Sequence, residues 1–235
     1  LISDAAGEDW TQVSSPTAQM LTGVHFVDAM RGWAVGHDGL ILATTNGGNS
    51  WSVQYSGLQQ QGVINQTQLA AMKDRKTLLE QEIAGQESAE LRAQQVAELE
   101  EVYLDIEDAE YALAQPLHAS PLLAVYFSNP LAGYAVGAFG EYLHTRDGGV
   151  SWQRNNTFLD NPQQMHLNAI TGDRGRAVWI AGEGGLLFRS LDAGESWQAL
   201  SSPYHGSFFD IAYQAATGAL VVAGLRGNIF TSHDK

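Results

Sequence analysis

Three near-identical octapeptides hold the side chains of this sequence best suited to chemistry: TTNGGNSW at 44–51, TRDGGVSW at 145–152 and SLDAGESW at 190–197. Each sets Asn46, Asp147 or Asp192 two residues after a hydroxyl and five before Trp51, Trp152 or Trp197. A repeated, exposed carboxylate could act as an acid, a base or a cation ligand. The same residues also suit a purely structural chemistry. Asp and Asn in glycine-containing turns accept hydrogen bonds from their own backbone N–H groups. The glycines supply positive φ at little cost, and the indole packs where the next strand opens. A carboxylate engaged in this way makes a poor ligand, so the octapeptides read as structural. The histidines, His25, His37, His118, His144, His166, His205 and His233, show no H-x-H or i,i+4 pairing, and cysteine is absent. No metal or cofactor site is therefore expected.

The spacing of the octapeptides then defines the elements that carry them. Trp152 and Trp197 are 45 residues apart, whereas Trp51 and Trp152 are 101 apart. The preceding segments align as LTGVHFVDAMRGWAVGHDGLILATTNGGNSW, LLAVYFSNPLAGYAVGAFGEYLHTRDGGVSW and LNAITGDRGRAVWIAGEGGLLFRSLDAGESW, with a shorter fourth copy, FFDIAYQAATGALVVAGLRGNIFTSHDK. Each unit has an apolar run, a turn, a second run such as GWAVG, a G-x-x-G turn, a third run, and then the octapeptide leading into a fourth. Four short strands in about 40–45 residues is the pattern of a β-propeller blade. The segment around Trp10 matches the one around Trp197, so Trp10 reads as the tryptophan of an outer strand that closes another blade. Asp234 aligns with Asp192, and the fourth copy breaks off inside its turn motif, so the chain is expected to be part of a longer protein. The fold class expected is mainly β, a propeller of four-stranded blades with about four present.

The long gap holds an insertion. Residues 58–116 are poor in glycine and rich in Gln, Glu, Ala and Leu, which favour helix. Leu69, Met72, Leu79 and Ile83 form one heptad stripe, with Lys76 in the vacant position; Leu99, Val102, Ile106, Ala109 and Leu113 form another. Gly85 offers a stop, Ser88 an N-cap and Pro116 an end. The spacing predicts an antiparallel coiled-coil hairpin of two helices of about 25 residues, each about 40 Å long. Folding about residue 87 sets Met72 beside Val102, Leu69 beside Ile106 and Lys76 near Glu98. The domains expected are propeller over 1–57, hairpin over 58–116 and propeller over 117–235.

Charge narrows the function. The net charge is −14, and nine Arg with three Lys form no basic patch, which argues against nucleic acid and anionic membrane surfaces as partners. No apolar run approaches the length of a membrane span. The start, LISDAAGEDW, has neither the basic nor the apolar region of a signal peptide, which is taken as already removed. Residues 98–110 carry seven acids and no base, and Glu98, Glu101, Asp105 and Asp108 are candidate partner-binding residues there. Such a stripe steers a basic partner. In a four-stranded blade the G-x-x-G turns and the links between blades share one face, opposite the octapeptides. The hairpin, an insertion in such a link, is expected to leave from that face. His37, Asp38, Phe139, Glu183 and Arg226 are its candidate contacts, with Phe139 as an anchor.

The octapeptides resemble Asp boxes, also called bacterial neuraminidase repeats. GWAVGHDGLILATTNGGNSW goes further and resembles the repeat of the photosystem II stability/assembly factor family. This resemblance implies a seven-bladed, non-enzymatic propeller acting on the lumenal or periplasmic side of a membrane. Photosynthetic members present an arginine patch, whereas the arginines here are scattered. Similarity to relatives in non-photosynthetic bacteria implies a periplasmic accessory protein for a membrane protein complex, first of all an exporter of the resistance–nodulation–division superfamily. The alternative is an assembly or stability factor for another membrane complex such as a photosystem. A sialidase-like glycosidase would need clustered arginines and an F/Y-R-I-P segment, which the sequence lacks; a glycan-binding propeller is a further alternative. A small-molecule substrate is not expected.

Overall fold

The structure is a computed structural model that describes residues 7–233. Asp234 lies outside the described residues. The chain divides into two compact units, one of residues 57–119 and the other holding the remainder.

The larger unit is four antiparallel meanders. The first sheet contains β1 (Leu21–Phe26), β2 (Gly32–Gly36), β3 (Leu40–Thr44) and β4 (Ser52–Tyr55). The second contains β5 (Leu122–Phe127), β6 (Gly133–Gly137), β7 (Tyr142–Thr145) and β8 (Gln153–Arg154). The third contains β9 (Leu167–Gly172), β10 (Val178–Gly182), β11 (Leu187–Ser190) and β12 (Gln198–Ala199). The fourth has three strands, β13 (Phe208–Gln214), β14 (Ala219–Gly224) and β15 (Ile229–Ser232). Within each sheet the strands lie in sequence order, and the first strand of each sheet contacts the first strand of the next.

The apolar core lies between sheets. Trp33, Val35 and Ile41 of the first sheet pack with Leu122, Phe127 and Leu143 of the second. The Trp33 and Phe127 rings stack with centroids 3.4 Å apart and planes 7° from parallel. Tyr134 and Tyr142 meet Ile170, Val178 and Phe188 at the next junction, and Trp179 meets Phe208, Ile211 and Val222 at the last. The second strand of each sheet therefore has apolar neighbours on both faces. That explains why β2, β6 and β10 are buried at every position and read as unbroken apolar runs rather than alternating ones.

A recurring backbone approach sets the end of each second strand. His37, Ala138, Glu183 and Leu225 donate their N–H groups to the carbonyls of Met20, Pro121, His166 and Ser207 at 2.8–2.9 Å. The preceding glycine is held against that same carbonyl. A Cβ on Gly137 would lie 2.2 Å from Pro121 O, and one on Gly36 would lie 2.1 Å from Met20 O. Gly137 has extended backbone that any residue can adopt, so the constraint is space.

The smaller unit contains α1 (Gly57–Gly85) and α2 (Ala89–Leu113), which pack together. The Ser88 side chain caps α2 by accepting the Leu91 N–H. Leu79 and Ile106, one from each stripe, are the buried residues of the two helices. The register departs from a simple fold about residue 87, because Lys73 pairs with Glu110 at 2.6 Å and the Tyr103 hydroxyl donates to Glu80 at 3.0 Å, both centred several residues further along. Arg75, rather than Lys76, takes Glu98, at 2.6 Å, and Lys76 Nζ lies 4.3 Å over the Tyr103 ring. One residue along a helix turns a side chain by about 100°, which puts Arg75 on the side facing Glu98.

Two glycine substitutions separate these constraints. Gly137→Ala should cost about 1–3 kcal/mol, because the added methyl forces the strand off a carbonyl. Gly85→Ala has open space and should add about 0.5–1 kcal/mol to stability. Urea denaturation of the two variants should move the midpoint in opposite directions.

Candidate partner-binding face

The octapeptides form one hydrogen-bonded turn three times. Thr145 Oγ1 donates to Asp147 Oδ1 (2.7 Å) and accepts from Gly149 N–H (2.9 Å). Asp147 accepts the Ser151 N–H at 2.9 Å and the Ser151 hydroxyl at 2.6 Å. Ser190, Asp192, Gly194 and Ser196 repeat the arrangement. In the first copy Asn46 keeps the Ser50 N–H bond and instead donates its amide to Ser50 Oγ (2.8 Å). The Ser151 and Ser196 hydrogen bonds hold the Asp147 and Asp192 carboxyls down at about 2.

The turn also joins sheets. Gln54 of the first sheet donates to Gly148 O in the second (2.9 Å), and Tyr134 of the second donates to Ala193 O in the third (2.6 Å). The octapeptide tryptophans pack at the same junctions. Trp152 meets Phe127 edge-on at 5.8 Å, and Trp197 meets Tyr142 edge-on at 5.7 Å and donates to its hydroxyl. Burial pushes that tyrosine's ionisation up. Trp51 is edge-on to Phe26. Trp10 is exposed, yet its Nε1 donates to Gly7 O (2.8 Å), three residues back, as Trp51 does to Gly48 O (3.0 Å).

The G-x-x-G turns carry a different chemistry. Asp38, Phe139 and Arg226 occupy the same position in successive turns, with φ of 59°, 57° and 62°; Gly184 fills it in the third sheet. Left-handed backbone is costly for side chains as large as Phe and Arg, and such strain is a pointer to function. Asp38 accepts from Gln19 Nε2 (2.5 Å), and His37 precedes it in the same turn. Phe139 is 58% exposed. Its N–H donates to His166 Nδ1 (2.9 Å), and the two rings meet edge-on at 5.0 Å. Glu183 accepts the His166 N–H (3.1 Å). Phe139 and Glu183 are thus brought together through His166, while Asp38 and Arg226 stay in their own turns. His166 and the adjoining loop were absent from the candidates drawn from sequence. The length and turn-rich composition of NNTFLDNPQQ at 155–164 were the available signal.

On α2, Glu98 is committed to Arg75, an exposed pair of little energetic weight. Glu101, Asp105 and Asp108 are exposed, at spacings that share one helix face. Among the described residues no group of acids or histidines is placed to hold a metal ion, and no helix is long and apolar enough to cross a membrane.

Residues 2–87 and 107–235 match the family model described as photosynthesis system II assembly factor YCF48. The chain belongs to this β-propeller family. The match omits residues 88–106, most of α2. The photosystem II assembly lipoprotein Ycf48 of Synechococcus sp. (strain CC9902) is 40% identical over 83 residues, which is 35% of this chain and 24% of the relative. Two solved structures share the fold at 19% identity. One, described as YCF48 bound to D1 peptide, has a TM-score of 0.57 over 94% of this chain and 53% of its own. The other, YCF48 from Cyanidioschyzon merolae, has a TM-score of 0.56 over 95% of this chain and 56% of its own. The chain thus spans about a quarter of the curated relative and about half of each solved one.

The octapeptide acids make a testable contribution to acid stability. Their folded values lie below the ordinary unfolded value of about 3.9, so the stabilisation is complete above that pH and is lost as pH falls toward 2. An Asp147→Asn/Asp192→Asn variant, built on the Asn46 precedent, should match the wild type near neutrality. It should lose less stability between pH 5 and pH 2, as read from thermal midpoints across that range.

Proposed function

We propose that this chain is part of a non-catalytic scaffold that assembles or stabilises a membrane protein complex. It would do so by holding a client polypeptide on the face formed by the G-x-x-G turns. The observation that carries this reading is membership of the assembly-factor family across both stretches of sheet. A relative solved with a bound D1 peptide supports a polypeptide client. The exposed, strained Phe139, with Glu183 joined to it through His166, offers a preformed contact; His37, Asp38 and Arg226 extend the same set of turns. The acids Glu98, Glu101, Asp105 and Asp108 would give α1 and α2, packed as a coiled coil, a second contact with a basic partner.

Assembly takes precedence over service to a resistance–nodulation–division exporter, because the family and the named relatives are all assembly factors. Their lipoprotein member supports a place on the periplasmic or lumenal side of the membrane. A seven-bladed ring accounts for the share of the solved relatives covered here.

Deleting the gene should lower the amount of one assembled membrane complex and leave its subassemblies behind, as seen on native gels. Normal complexes with impaired export would instead favour the transporter reading.

A further inference from the structure

The loop after β8 and the turn after β6 enclose a groove of about 510 Å³. Phe139, Phe158 and Trp197 give it three aromatic rings, and Asp160 gives it a carboxylate; no lysine, arginine or histidine lines it. Phe158 is 39% exposed and Asp160 is exposed. The walls are braced from behind. Asn156 Oδ1 accepts the Tyr142 N–H (3.0 Å), Leu159 is buried, and the Asn161 amide bonds the Met165 backbone through both its oxygen and its nitrogen. Gly140 lets the loop close on the turn, since a Cβ there would lie 2.8 Å from Asn161 Nδ2. Phe139 and Gln164 both hold left-handed backbone, with φ of 57° and 53°. A groove braced this way is formed before any ligand arrives, which lowers the ordering cost of binding.

Aromatic faces attract cations through their quadrupole, and a carboxylate beside them adds a point charge of the right sign. With no base in the lining and a chain carrying −14, an anionic ligand has nothing to pair with. We propose that this groove holds the arginine or lysine side chain of an extended client peptide, stacked on Phe139, Phe158 and Trp197 and paired with Asp160. The inference rests on the client-binding reading of the same face, and it adds the charge of the residue selected.

The test uses the full-length protein and short fluorescent peptides that differ only in one central residue: arginine, norleucine or glutamate. Fluorescence anisotropy should show the arginine peptide binding at least about tenfold tighter than norleucine, with glutamate weakest and added salt eroding the difference. Asp160→Asn and Phe139→Ala, both at exposed positions, should each weaken the arginine peptide by about tenfold, with unchanged thermal midpoints. Val150→Ala, in an octapeptide and 86% exposed, should leave it unaffected. Equal or tighter binding of the glutamate peptide, no binding of the arginine peptide, or indifference to Asp160→Asn would each overturn the assignment. The membrane-complex phenotype of the gene deletion is a separate readout, so failure here leaves the assembly role to be judged on its own.

Discussion

A turn carbonyl passed from one sheet to the next is the contact on which this architecture depends. Gly148 O and Ala193 O are each gripped by a side chain of the preceding sheet, Gln54 in one case and Tyr134 in the other. Those carbonyls stand in place only because Thr145 and Ser190, with Asp147 and Asp192, bind the turns internally. The carboxylates lie on the surface, yet they are spent on fixing geometry. The same turns deliver Trp152 and Trp197 into the junction cores, so local hydrogen bonding and inter-sheet packing are solved by one octapeptide.

With the octapeptide edge holding the sheets together, the opposite edge is free to vary. Its G-x-x-G turns share a backbone path, fixed by a glycine pressed against a neighbouring carbonyl. One position keeps left-handed backbone in all four turns while its residue changes completely in chemistry: Asp38, Phe139, Gly184 and Arg226. A scaffold that repeats its backbone and varies its displayed side chains suits recognition of a polypeptide.

Much of this was legible in the sequence because the repeat is written in turns. The 45-residue spacing gave the four-strand unit, and the octapeptide pattern gave the hydrogen-bond scheme, down to Asn46 standing in for Asp. The heptad stripes identified Leu79 and Ile106 as facing inward. The site was less legible. His166 contributes through a ring nitrogen that accepts a bond from a residue 27 positions away, a partnership that spacing does not reveal. The groove beside Phe139 depends on how a loop of asparagines folds back on itself, which composition marks as a turn but does not shape. The pairing of Arg75 rather than Lys76 with Glu98 turned on about 100° of helical phase, finer than a stripe of apolar residues can fix.

The central claim is that the face bearing Phe139 meets the client and the octapeptide face does not. Site-specific photo-crosslinking in native membranes tests it most directly. A photoreactive residue at Phe139 should form adducts with a subunit of a membrane complex, while the same residue at Val150, 86% exposed in an octapeptide, should form none with that subunit. Adducts to the same subunit from Val150 and none from Phe139 would contradict the account.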